Sequence, residues 1–243
     1  MISVSAAIGL SIALGTAPSP SGAEVIRSMH AKYNKTWYRQ LSFVQRAIFA
    51  DGRPEEEWWE AMKVPGRLRI DIAPVDSAPR TIIYRGDSLY VFTKGQPGKP
   101  ARSPNLLLVL GFDVYLQPPE TTIGLLEHEG FDLSKSHEDT WEGRPAYVIG
   151  AAQGDLDSKQ VWIDKERLVF LRLLEKRPNG AADIRFSKYE KLGGGWIGTE
   201  VHFFTGGKET FTEIYRDWKI NPAITDELFQ VDQWKRPGWV TGK

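Results

Sequence analysis

Lys63-Val64-Pro65-Gly66-Arg67-Leu68-Arg69-Ile70-Asp71-Ile72 is the stretch that decides the fold class. A Pro-Gly turn leads into strict alternation, with Leu68, Ile70 and Ile72 on one phase and Arg67, Arg69 and Asp71 on the other. Side chains of a strand point alternately to two faces, so this is a strand with one buried side. The same rhythm runs outward from it. Ser42–Ala50 and Glu57–Val64 precede it, and Arg80–Arg85 and Ser88–Thr93 follow. Asp51-Gly52-Arg53-Pro54, Pro74–Pro79 and Gly86-Asp87 punctuate these runs. After a break the rhythm returns in Pro145–Ala151, Ser158–Asp164, Val169–Lys176, Ala182–Lys191, Trp196–Thr205 and Lys208–Ile220. Pro178-Asn179-Gly180, Gly193-Gly194-Gly195 and Gly206-Gly207 are hairpin turn signals between them.

Three segments break the strand pattern. Glu24 to about Leu41 reads as an amphipathic helix, because Val25, Ile26, Met29, Tyr33, Trp37 and Leu41 recur at spacings of three and four. Asn105–Phe112 is apolar on every side, with Leu106, Leu107, Leu108, Val109 and Leu110 in succession, and follows a Gly/Pro-rich loop, Gly95–Pro104. A short helix that is hydrophobic all round cannot face water, so it lies between apolar layers or covers an apolar hollow as a lid. Pro118-Pro119 then opens a second short helix, Glu120 to about Glu129. About eleven strands, with one early helix and two central ones, describe a mainly β chain with helices (α+β). One domain, residues 24–243, is expected.

The first 23 residues contain no Asp, Glu, Lys or Arg and end in Pro18-Ser19-Pro20-Ser21-Gly22-Ala23. This is the pattern of an export signal, with Ser21 and Ala23 at the positions a signal peptidase reads and the cut before Glu24. No Lys or Arg precedes the apolar run, so the terminal amine alone supplies its positive charge. The product is expected to be periplasmic, soluble and monomeric.

Composition narrows the function. Lys+Arg 31 against Asp+Glu 31 gives a formal net charge of zero, which argues against nucleic-acid binding. The absence of Cys removes disulfides, thiolate metal sites and a cysteine nucleophile. His30, His128, His137 and His202 show no metal-ligand spacing, and His137-Glu138-Asp139 reads as a solvated loop rather than a metal site. No catalytic elbow, phosphate loop or acid dyad can be read out, so no enzyme activity, cofactor or metal is expected. Nine Trp remain to be placed. Of the adjacent Trp58 and Trp59, one must point outward, and Trp234 and Trp239 in the C-terminal tail are expected to be exposed.

The order of pieces resembles the LolA-like superfamily of periplasmic lipoprotein carriers. Leu41-Ser42-Phe43-Val44-Gln45 is similar to its Phe-x-Gln strand, and Lys63 to Ile70 to its basic-Pro-Gly turn and strand. Ile82 to Phe92 is similar to its central hairpin, Val161-Trp162-Ile163-Asp164 to its Trp-Ile-Asp strand, and Asn221 to Phe229 to its closing segment. One departure is that Val64, not a basic residue, precedes Pro65, with Lys63 one place earlier. The missing Cys excludes the lipid-anchored receptor of the same fold.

The resemblance implies an open antiparallel half-barrel, capped by helices, whose hollow holds acyl chains of lipoproteins or another lipid. It implies an inner-membrane donor complex and an outer-membrane acceptor as partners, and a role in cargo release for Lys63, Arg67 or Arg69. Strand alternation then places Phe43, Leu68, Ile70, Trp162, Ile184, Phe186, Val201 and Phe203 on the concave face. Tyr90 and Phe92 are taken in preference to Leu89 and Val91, and Leu107 and Leu110 are the lid residues. An envelope-stress sensor of the same fold is the alternative, and a hydrolase of lipids or glycans is less favoured.

Overall fold

The computed structural model describes residues 19–178, 180–238 and 240. Met1–Pro18, most of the expected export signal, lie outside them, as does Trp239. The described chain begins with α1 (Gly22–Tyr33), followed by β1 (Gln40–Phe49), β2 (Glu56–Lys63), β3 (Arg67–Ile72), β4 (Arg80–Arg85) and β5 (Ser88–Thr93). Two short pairs, β6 (Gln96–Pro97) and β7 (Ala101–Arg102), precede α2 (Leu106–Gly111) and α3 (Pro119–His128). The rest is β8 (Ser136–Trp141), β9 (Arg144–Ile149), β10 (Gln160–Asp164), β11 (Phe170–Glu175), β12 (Ala182–Leu192), β13 (Gly195–Thr205) and β14 (Lys208–Ile220).

These fourteen strands form one antiparallel sheet, ordered β6-β5-β4-β3-β2-β1-β14-β13-β12-β11-β10-β9-β8, with β7 also on β5. Its two ends do not meet, so the sheet is open. All eleven strands read from the sequence are present. The three additional ones carry no apolar rhythm of their own: β6 and β7 fold Gly95–Pro104 back on β5, and β8 is a polar edge strand. His137-Glu138-Asp139 therefore belongs to a strand, not to the expected loop.

The first helix is shorter than its periodicity suggested. It ends at Tyr33, and Leu41 belongs to β1. Trp37 stays on the apolar side because the chain turns there, with its N–H bonded to the Tyr33 carbonyl at 2.9 Å. The tip of the β12–β13 hairpin packs against this turn. A Cβ on Gly194 would stand 2.1 Å from the Thr36 carbonyl oxygen, and one on Gly195 would stand 2.5 Å from the Trp37 ring, so only glycine fits. At its other end α1 carries a capping box between Ser21 and Glu24, and the Gly22 N–H bonds to Leu133 at 2.9 Å. The cut expected before Glu24 falls inside this first turn and would remove the cap.

Most of the core lies on the inner face of the sheet, where Val25, Ile26, Met29 and Tyr33 of α1 meet Leu41, Val64, Ile149, Phe170 and Val201. The outer face of the first five strands is also covered, by the C-terminal segment. Phe229 and Trp234 pack on Ile83 and Phe92, and Val240 packs on Trp59 and Val75. Trp234 is thus half-buried rather than the exposed ring expected, with its Nε1–H donated to Thr81 Oγ1 at 2.8 Å. Trp58 faces the inner core and Trp59 the outer cluster, so neither ring is free in water.

A buried polar knot fastens the segment. Arg69 pairs with Asp71 through two bonds of 2.8 and 2.9 Å and donates to the carbonyls of Leu228 at 2.9 Å and Lys235 at 2.8 Å. Arg69 is 2% exposed and Asp71 0%. Removing the cation would leave a buried carboxylate uncompensated, which typically costs about 3–5 kcal/mol. Arg69→Leu is expected to lose that much in urea unfolding and to open residues 225–238 to limited proteolysis. An unchanged midpoint would show that the segment is held by its apolar contacts alone.

Candidate functional site

The inner face of β1–β3 and β12–β14 is roofed by α2 and the turn after it, leaving a cavity of about 90 Å3. One water needs roughly 10–15 Å3, so the space takes more than a single solvent molecule. Phe43, Met62, Leu68 and Ile70 form one wall, Phe170 and Phe186 the opposite one, and Leu107 and Leu108 the roof. The Asn105 side chain holds α2 in place by accepting the N–H groups of Leu107 and Leu108, each at 3.1 Å.

A cluster of three rings closes one side. Phe43 lies 4.2 Å from Trp218 and 5.2 Å from Tyr215, centroid to centroid, and Tyr215 lies 5.7 Å from Trp218. Simple alternation would not put Tyr215 and Trp218 on one face. An irregularity in the β1–β14 register, with Asp217 at φ 57°, shifts the phase by one residue and turns both rings inward.

Of the candidates named from the sequence, Phe43, Leu68, Ile70, Leu107 and Phe186 meet at this cavity. Ile184, Val201 and Phe203 share the inner face and belong to the packed core beside it. Leu110, 1% exposed, anchors α2 into that core instead of lining the hollow. Trp162 is on the other face, packed with Ala146, Val148 and Leu171 and 5.6 Å from Trp141. Every residue of β10 is buried, but Gln160 and Asp164 share the phase of Trp162 while Val161 and Ile163 of the other phase join the inner core, so the polar phase marks the outer side. Tyr90 and Phe92 are also on the outer face, in the cluster with Phe229. Leu89, paired with the inward Tyr84, marks the other choice as the inner one.

The three basic residues divide. Lys63 and Arg67 both bind Asp226, at 2.5 and 2.7 Å, and hold its carboxyl below the usual range. Arg69 is committed to the outer-face knot and does not reach the hollow. Between turn and roof stands Asp113, 2% exposed, which accepts the Gly66 N–H at 2.9 Å. Burial raises its carboxyl to about 7, opposed by that one hydrogen bond.

Two acids in the cavity wall escaped the sequence reading. Glu60 of β2 and Glu213 of β14, 4% and 8% exposed, lie on the strands that flank β1, with Gln45 between them. Their signal was a polar residue in an apolar phase: Trp58-Glu60-Met62, Phe211-Glu213-Tyr215 and Phe43-Gln45-Ala47. Glu60 Oε1, Gln45 Nε2 and Trp218 Nε1 have no hydrogen-bond partner, whereas Glu213 accepts the Tyr215 hydroxyl. Burial pushes Glu60 well above the usual carboxylate range, with the nearby Glu213 charge adding to it. Burial raises Glu213 to about 7, opposed by the Tyr215 hydroxyl and, less, by the nearby Gln45 amide.

No family model matches the chain, and no curated protein matches it. Solved structures do. A LolA superfamily protein from Nitrosomonas europaea is 13% identical, with a TM-score of 0.54 over 88% of this chain and 99% of that one. A DUF1329 family protein from Desulfovibrio piger is 16% identical, with a TM-score of 0.52 over 86% of this chain and 95% of that one. A putative outer membrane lipoprotein-sorting protein domain from Vibrio parahaemolyticus is 11% identical, with a TM-score of 0.46 and the same two coverages, 86% and 95%. At such identities the likeness is one of architecture. The chain has the LolA-like fold, an open antiparallel sheet with helices against its inner face.

The cavity acids make stability depend on pH in a defined direction. A carboxyl whose folded pKa lies above its unfolded value keeps its proton in the folded chain after the unfolded chain has released it. Its contribution is complete below about pH 4.5 and is lost as pH rises to about 7. Glu213→Gln removes that dependence and can still accept the Tyr215 hydroxyl. The variant is expected to gain on wild type between pH 4.5 and 7, by up to about 3 kcal/mol above that range. Urea unfolding at pH 5 and pH 8 measures it, and a constant difference would place Glu213 in a wetter setting than its burial implies.

Proposed function

We propose that this chain is a periplasmic carrier that holds acyl chains of lipoproteins, or of another lipid, in the cavity beneath α2 and passes them towards the outer membrane. The observation that carries this reading is a ring-lined hollow whose roof is a six-residue helix made of Leu, Val and Gly. Each methylene leaving water contributes about 0.8 kcal/mol, so a twelve-carbon chain gains on the order of 9 kcal/mol. The wall supplies the matching surface. For a whole chain to enter, α2 moves away from the sheet; it is only six residues long, and its Leu106 and Leu107 are partly exposed.

The basic pair takes the part of a release device in this reading. Lys63 and Arg67 flank the β2–β3 turn, and Asp113 ties that turn to the segment directly after α2. A cargo that displaces the roof therefore strains the Asp113–Gly66 bond and reaches the Asp226 ion pairs. Binding, not catalysis, is the use of the hollow. Two carboxyls in one cleft also serve glycoside hydrolysis, yet aliphatic and aromatic side chains make up most of this wall, which suits an apolar chain better than a sugar.

Purified protein is expected to retain lipid detectable by native mass spectrometry, or to take up the uncharged apolar probe N-phenyl-1-naphthylamine. A lipid-free protein that takes up no probe would overturn the proposal. Leu107 and Leu110 separate roof from core. Leu107→Asp is expected to weaken probe binding about tenfold, equivalent to about 1.4 kcal/mol, with a smaller loss of stability. Leu110→Asp buries a charge and is expected to cost more than about 3 kcal/mol in stability. Equal stability losses in the two variants would make α2 ordinary core.

A further inference from the structure

Among the described residues three buried acids outside the cavity have their cations, and a fourth, Asp113, accepts the Gly66 N–H. Asp71 is paired with Arg69, Asp164 with Arg144, and Asp183 with Arg172 and Arg185, all at 2.7–2.8 Å. Glu60 and Glu213 have none. No Lys, Arg or His is among the described residues that line the cavity, and Glu60 Oε1 lacks any hydrogen-bond partner. Beside them stand the rings of Phe43, Tyr215 and Trp218. Carboxylates accept hydrogen bonds, and aromatic faces attract cations. The missing component is a cation with an apolar body.

We propose that the cavity selects amphiphiles whose head is a protonated amine, seated between Glu60 and Glu213 against these three rings. The inference rests on the reading of the cavity as a site for an apolar chain and adds the chemistry of the head. An ammonium group brings three donors and one positive charge, which meets the open Glu60 oxygen and discharges the acid pair. An oxygen next to the amine, as in an amino alcohol, would meet Gln45 Nε2 and Trp218 Nε1, the two donors left open in the same wall. A carboxylate head brings a further negative charge to acids that burial already holds towards their neutral forms.

Displacement of N-phenyl-1-naphthylamine by decylamine, 1-decanol and decanoate at pH 7 tests this, since the three share a chain and differ in the head. Decylamine is expected to compete at least about tenfold better than decanol, with decanoate weakest. Replacing both acids (E60Q/E213Q) should bring amine and alcohol within about twofold while decanol binding holds. Equal competition by amine and alcohol in wild type, or an amine preference that survives in the variant, overturns the proposal and leaves the apolar site standing. Where the double variant fails to fold, the wild-type order of the three heads decides. A wild-type protein that takes up no probe and no decyl compound overturns both readings.

Discussion

The pairing of β1 with β14 is the contact on which the rest of the structure depends. It joins the first strand of the chain to the last and so turns two runs of hairpins into one sheet. Without it, β1–β7 and β8–β14 would be two smaller sheets with separate inner faces. With it, Phe43 meets Tyr215 and Trp218, and acids from β2 and β14 come to either side of Gln45. The irregularity within this pairing is equally consequential, because it alone brings Trp218 round to the side of Tyr215. The cavity is therefore a product of long-range register rather than of any local motif.

This explains which parts of the molecule were legible in the sequence. Strands whose two phases differ in polarity announce themselves, and β3, with Leu68, Ile70 and Ile72 against Arg67, Arg69 and Asp71, is the clearest case, although the C-terminal segment buries its polar side as well. The apolar helix over Leu106–Gly111 was equally plain, since few arrangements accommodate such a segment. Alternation fails where neither phase is polar, as in β5, where Tyr90 and Phe92 were assigned to the wrong side. In β10 the polar Gln160 and Asp164 share the phase of Trp162, which was assigned to the inner side against that signal. The covering element for β5 is the C-terminal segment, whose place is set by Arg69, a residue the family resemblance had cast in another role.

Glu60, Gln45 and Glu213 were overlooked for a related reason. Each sits in the apolar phase of its strand, and taken alone each looks like an ordinary exception to the pattern. Only the register of β2, β1 and β14 shows that the three exceptions are neighbours. Isolated breaks in periodicity carry little meaning, whereas breaks that stack across adjacent strands define a polar spot on an otherwise apolar wall. Such a spot opposes folding, as the raised carboxyl pKa of Glu213 records.

A wall made solely of aliphatic and aromatic groups would have been more stable and would have held any apolar chain with similar strength. Two acids weaken the empty state and, in the proposed reading, make occupancy depend on the ligand's head as well as its length. For a carrier, which must release what it binds, this has a physical advantage. Affinity from methylene burial grows with chain length and is hard to reverse, because it has no single contact to break. Affinity that rests partly on a buried ionic contact collapses when water enters the site, since the interaction weakens steeply as the local dielectric rises. In the proposed reading, lifting α2 admits that water. The roof and the acids then form one device, in which the motion that opens the cavity also removes much of the reason for the ligand to stay.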